Sequence, residues 1–177
     1  TVTSNYIFVG QNTLTGCTST NSPSQLITVN ALPSLTISAS NSIICPGYAT
    51  TLNISGASNY TWYPGGFTIA NIIQNPTITT TYSVIGINAI SGCTNMAINT
   101  VSVYGLPILT ASAISASICM NSSTTLSGFG ANTYTWYPGG ISGNTITVSP
   151  TVQTTYTLAG TNLAGCSNTN TSAQIIS

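Results

Sequence analysis

The heptapeptide YTWYPGG occupies Tyr60–Gly66 and stands again, letter for letter, at Tyr134–Gly140. It reads as a strand running into a turn. Tyr, Thr and Trp favour extended backbone, and Pro-Gly-Gly supplies the residues that end a strand and reverse the chain. Side chains alternate along a strand, so Tyr60 and Trp62 share one face while Thr61 and Tyr63 take the other. A buried tryptophan is a large part of a small core, since truncation to alanine costs about 3–5 kcal/mol. Trp62 and Trp136 are therefore expected at the centres of two equivalent cores, with Tyr60 and Tyr134 beside them. Tyr63 and Tyr137, on the outer face, are the candidates for an aromatic sugar-binding platform.

Working outward, the match covers almost the whole chain. Cys45 and Cys119, Tyr82 and Tyr156, and Pro33 and Pro107 are each 74 residues apart, whereas Cys93 and Cys166 are 73 apart. One residue is thus lost between Tyr156 and Cys166, as loops tolerate. Asn5–Cys17 (NYIFVGQNTLTGC) matches Thr81–Cys93 (TYSVIGINAISGC) and Thr155–Cys166 (TYTLAGTNLAGC). The reading is therefore a C-terminal half repeat at 1–33 holding only the last strands, then complete repeats at 34–107 and 108–177. The half repeat calls for partner strands, from sequence upstream or from another chain. Within each repeat the apolar period is two, over short runs separated by Gly, Pro and Asn. That pattern predicts an all-β fold of tandem β-sandwiches. Tyr60, Trp62, Tyr82, Tyr134, Trp136 and Tyr156 are the expected core aromatics.

The composition narrows the chemistry. None of the 177 residues is Asp, Glu, Lys, Arg or His, against about 25% charged residues in an ordinary domain. General acid–base catalysis relies mostly on those side chains, and a nucleophilic Ser or Cys needs a base beside it. Hard-cation sites need carboxylates, and phosphate-backbone recognition needs Lys and Arg. The expectation is no enzyme, no catalytic residues, no cofactor, no metal site and no nucleic-acid partner. With 42% hydrophobic residues the chain is unlike a disordered one, and its apolar runs are too short for a spanning helix. No cationic leader opens it, so it reads as an interior segment or a processed product.

Five cysteines stand where paired carboxylates or histidines might have been sought. Without His or a CxxC motif they read as structural disulfide candidates in an oxidising compartment. Pairing inside each repeat, Cys45 with Cys93 and Cys119 with Cys166, is the favoured arrangement. The rival joins consecutive repeats, Cys45 to Cys166. Cys17 is odd in either scheme, unpaired or paired outside the segment.

Ile44–Cys93 and Ile118–Cys166 share a Cys before the second strand, Tyr-x-Trp on the third, a TTY strand and a closing Gly-Cys. In this the chain resembles the immunoglobulin-like or PKD-like tandem repeats of very large secreted surface proteins, adhesins of gliding bacteria. The resemblance implies immunoglobulin-like sandwiches, export by the type IX route and an extracellular or cell-surface location. It brings no catalytic residue. Two departures stand out: the total lack of charge, and CPG at Cys45–Gly47 becoming CMN at Cys119–Asn121.

Charged side chains usually guard strand edges and keep molecules apart. A charge-free repeat protein is therefore expected to self-associate, with copies of itself or flanking repeats as partners, in an extracellular filament or adhesin stalk. The alternative is a carbohydrate- or surface-binding module using Tyr63 and Tyr137, with surface glycans as partners. A third idea is ice or mineral binding through a threonine ladder at Thr79 and Thr81. Asn53, Asn59, Asn121 and Asn170 each begin an Asn-x-Ser/Thr triplet.

Overall fold

In a computed structural model, residues 2–19, 24–169 and 174–177 are described. The chain is all-β, built of immunoglobulin-like β-sandwich repeats, with no helix among the described residues. The N-terminal segment holds one antiparallel hairpin, β1 (Ser4–Ile7) and β2 (Ser24–Ile27), paired Ser4 to Ile27. The first full repeat holds β3 (Thr36–Ala39), β4 (Ile43–Ile44), β5 (Thr50–Ser55), β6 (Asn59–Tyr63), β7 (Asn71–Gln74), β8 (Thr80–Ile87) and β9 (Thr94–Val103). Its sheets run β3-β5-β7 and β4-β9-β8-β6. The second repeat holds β10 (Thr110–Ala113), β11 (Thr124–Phe129), β12 (Thr133–Tyr137), β13 (Ile141–Ser142), β14 (Thr145–Val148), β15 (Thr154–Thr161), β16 (Ser167–Thr169) and β17 (Gln174–Ile176). Its sheets run β10-β11-β14 and β13-β12-β15-β16, with β17 also paired to β15.

The period of two governs burial. In β5 and in β11 the first, third and fifth residues are buried and the alternate ones are not. In the second repeat Leu126, Ile146 and Val148 come from one sheet, and Trp136, Tyr156, Leu158 and Ile176 from the other, to form a single core cluster. The equivalent Leu52, Ile72, Trp62, Tyr82, Val84 and Val101 are all buried in the first. Thr50 and Thr124 are buried as well, and neither hydroxyl is orphaned. Thr50 Oγ1 donates to the Asn41 carbonyl at 2.8 Å, and Thr124 Oγ1 to the Ser115 carbonyl at 2.9 Å.

The two cores differ by a size exchange. Ile54 and Val84 of the first repeat correspond to Gly128 and Leu158 of the second. At Gly128 an added Cβ would lie 2.6 Å from Leu158 Cδ2, so the larger leucine fills the space that isoleucine occupies elsewhere. The leucine returns only part of the side-chain volume that the glycine removes, so the exchange compensates in position rather than in volume. Another repeated device is backbone contact. A Cβ at Gly130 (φ +97°) would strike the Ile108 carbonyl, as one at Gly56 (φ +102°) would strike that of Ser34.

The chain divides into two compact units that do not follow the repeat boundaries. One comprises Thr1–Ile37, Ile54–Ala70 and Ser83–Ala97; the other comprises Ser38–Asn53, Asn71–Tyr82 and Ile98–Ser177. The first contains the N-terminal hairpin, β6 and the Asn88–Cys93 turn. The second contains β4, β7 and the whole second repeat.

Candidate functional site

The repeated heptapeptide has the same anatomy in both copies. Tyr60 Oη donates to the Ala57 carbonyl at 2.8 Å and accepts from the Ala57 N–H at 3.1 Å. Tyr134 does the same with Ala131, at 2.6 and 2.9 Å. Each first tyrosine thus ties the turn that precedes its own strand. Trp62 and Trp136 have no exposed surface. Their indole N–H groups donate to carbonyls seven residues on, Ile69 at 2.8 Å and Gly143 at 3.0 Å. A buried indole needs such a partner. The Tyr-Pro bonds at Tyr63–Pro64 and Tyr137–Pro138 are cis, and both following glycines have positive φ.

Burial raises the Tyr82 phenol above its ordinary range, because the charged form would be desolvated. Tyr156, its counterpart, is buried too. Tyr63 and Tyr137 lie outward, 50% and 49% exposed, opposite Ser83 and Thr157 in register. A surface groove of about 520 Å³ lies in the second repeat and is lined by Asn132, Thr133, Tyr134, Ser142 and Asn144 among others. Tyr137 is not among its lining residues, so the exposed ring and the polar groove do not form one site. Sequence reasoning missed this groove; the turn leading into β12 and the turn between β13 and β14 make it, and no motif marks it.

The threonines proposed as a ladder are engaged between strands. Thr79 Oγ1 accepts from the Val103 N–H at 3.0 Å, and the Thr81 and Thr100 hydroxyls are 2.9 Å apart. Asn53 is partly buried on β5, Asn59 and Asn121 are exposed, and Asn170 lies outside the described residues.

The cysteines require a correction. The bond joins Cys45 to Cys166, with Cα atoms 5.5 Å apart. Cys93 and Cys119 are free thiols, so the favoured pairing inside each repeat does not occur; Cys17 is also free. The reason is strand length. The Cys45 turn is hydrogen-bonded at Gly47 N–H to Pro76, ahead of β8, at 3.1 Å. Cys93 comes only after β8. Eight extended residues carry the chain about 26 Å, whereas a disulfide needs Cα atoms within about 7 Å. The same holds across β15 for Cys119 and Cys166.

The altered turn in the second repeat keeps its shape. Asn121 takes the left-handed conformation (φ +65°) that Gly47 has at its counterpart (φ +77°), as asparagine tolerates better than most residues. Ser122 N–H then donates to the Cys119 carbonyl at 2.9 Å, as Tyr48 N–H does to Cys45 at 3.1 Å.

No protein-family model matches the chain, and no curated protein matches it in sequence. Among solved structures it is similar to the three N-terminal domains of the bacteriophage RB49 highly immunogenic outer capsid protein, with 13% identity, 81% of this chain covered and a TM-score of 0.47. The chain spans 58% of that structure. It is also similar to murine CEACAM1b, at 11% identity over 81% of this chain and 99% of that one, with a TM-score of 0.42. A Bacteroides ovatus glucan-utilisation protein, SGBP-B, solved with a mixed-linkage heptasaccharide, matches at 21% identity over 98% of this chain and 52% of its own, with a TM-score of 0.25.

Proposed function

We propose that this chain is a non-enzymatic structural segment of an extracellular filament or cell-surface adhesin stalk, self-associating through charge-free β surfaces. The observation that carries the reading is the Cys45–Cys166 bond, which links consecutive repeats across 121 residues of sequence. Closing such a loop stabilises by roughly 5 kcal/mol in the chain-entropy model. A covalent tie between successive modules suits an array under tension, and disulfides persist in oxidising compartments outside the cytosol. The absence of Asp, Glu, Lys, Arg and His supports a role in holding rather than converting. The sequence resemblance to repeats of gliding-bacterial adhesins supports export and surface display.

A surface without charge also leaves many large apolar side chains in water, Ile73, Ile78, Ile98, Leu163 and Ile175 among them. Such contacts strengthen rather than weaken as salt rises. Light scattering of the reduced chain is therefore expected to show assembly that persists from low salt to molar salt. A chain that stays monomeric at every salt and protein concentration would overturn the structural reading.

The second reading, a glycan- or surface-binding module, is favoured by the half-exposed rings of Tyr63 and Tyr137. It predicts retention on a glycan array that is lost in a Tyr63→Ala/Tyr137→Ala double variant. An array with no positive glycan would remove it.

A further inference from the structure

The observed disulfide is one copy of an arrangement that the chain repeats on both sides. One half is a turn of the form Cys-x-Gly or Cys-x-Asn, present at Cys45 and Cys119 with the same left-handed third residue and the same hydrogen bond to the cysteine carbonyl. The other half is a Gly-Cys turn, present three times. Asn12, Asn88 and Asn162 each receive a backbone bond from the glycine of that turn, at 2.8, 2.8 and 3.0 Å. Each asparagine N–H in turn donates to the carbonyl of the cysteine, at 2.9, 2.9 and 3.0 Å. Each asparagine Oδ1 also accepts from the backbone two residues on: Leu14 at 2.9 Å, Ile90 at 3.0 Å and Ala164 at 3.0 Å. The residue lost from the second repeat is lost inside this turn, which keeps its cap.

Only Cys45 and Cys166 have met. In that pair the Cys-x-Gly turn of one repeat joins the Gly-Cys turn one repeat later. Cys119 presents the first kind of turn with its thiol exposed, beside an open cleft of about 140 Å³ lined by Ile118, Met120, Pro150, Val152 and Ser177 among others. Cys17 presents the second kind, also exposed. Cys93 carries that turn too, but its sulfur is half-buried 4.0 Å from the Asn30 carbonyl, the position in which Cys166 faces Tyr104 at 3.4 Å.

We propose that Cys119 of one chain and Cys17 of a second copy form a disulfide equivalent to Cys45–Cys166, so that copies are joined covalently in repeat register. Two paired turns, one of them bonded in this same molecule, point to the partner. The reaction requires an oxidant, and a small disulfide such as oxidised glutathione suffices. The Cys119 thiolate attacks one sulfur and releases one small thiol. The Cys17 thiolate of the second chain then displaces the other. Two protein thiols are oxidised, one small disulfide is reduced to two thiols, and two protons pass to solvent or to those thiols.

The inference rests on the self-associating reading above, and one experiment separates the two. The full chain is incubated in a glutathione redox buffer and resolved without reductant, and its cross-links are mapped by mass spectrometry. A ladder of covalent multimers with a Cys17–Cys119 linkage is expected, lost in Cys119→Ser and in Cys17→Ser and unchanged in Cys93→Ser. A ladder that survives Cys119→Ser, a linkage mapped to Cys93, or no ladder at all would overturn the proposal. If the ladder is absent while the reduced chain still assembles by light scattering, the disulfide idea fails and the structural reading stands. If neither is seen, both fail.

Discussion

The N-terminal hairpin and its counterparts in the full repeats share a sequence pattern but not an environment. Tyr6 and Tyr82 occupy equivalent places in the matched segments, yet Tyr6 is 57% exposed and Tyr82 only 3%. Phe8 and Ile27 are exposed, whereas the equivalent Val84 and Val101 are fully buried. The same apolar alternation makes strands in both settings. What differs is the second layer: β8 and β9 belong to a repeat that also contains β5 and β7, while β1 and β2 form a sheet of two. Alternation specifies which side chains can be buried, and an opposing sheet is needed to bury them.

The largest test of this contrast is Trp136→Ala, expected to cost about 3–5 kcal/mol in urea denaturation followed by far-UV circular dichroism. A loss under 1 kcal/mol would show that the ring is not central to the second core. Removal of the disulfide by Cys45→Ser comes next. A loss of roughly 2–5 kcal/mol is expected, visible in calorimetry as a lowered Tm that reductant no longer shifts; unchanged melting would mean the bond does not constrain the unfolded chain.

The contrast itself is sharpened by a matched pair. Tyr82→Ala should cost about 3 kcal/mol or more, as other buried aromatic truncations do. Tyr6→Ala should stay within about 0.5 kcal/mol, as exposed substitutions do. Equal losses would show that the hairpin is covered in solution. Tyr134→Phe is a smaller change, leaving the Ala131 N–H and carbonyl without their phenol partner, and about 1 kcal/mol is expected.

The pH profile should move least. No side chain titrates in the acid range. Because burial raises Tyr82 in the folded state, its contribution is fully present below the ordinary phenol range near 10 and is lost as pH rises through the folded value. Stability measured by thermal melting is therefore expected to be flat through acid and neutral pH and to fall only in alkali. A transition below pH 7 would contradict this.

Much of the fold was legible beforehand because it depends on local rules. Alternation placed Trp62 and Trp136 inward and Tyr63 and Tyr137 outward, and Pro-Gly-Gly ended the strands. The role of Tyr60 and Tyr134 was less visible. They were expected as core rings, and they are half-buried with hydroxyls committed to the preceding turn, a bond no residue pattern announces. The polar groove beside Tyr134 was likewise unreadable, since it is shaped by backbone between short strands.

The sharpest divide lies among the cysteines. Chain order alone establishes that two kinds of half-cystine turn recur, because each turn is made by neighbouring residues: Gly47 or Asn121 in one, Asn88 and Gly92 or Asn162 and Gly165 in the other. Which turn meets which was settled only in three dimensions. Strands β8 and β15 stand between the cysteines of the same repeat, and the bond joins residues 121 positions apart. Short-range hydrogen bonds are written in the order of residues. Long-range pairing depends on the length and direction of the strands between them.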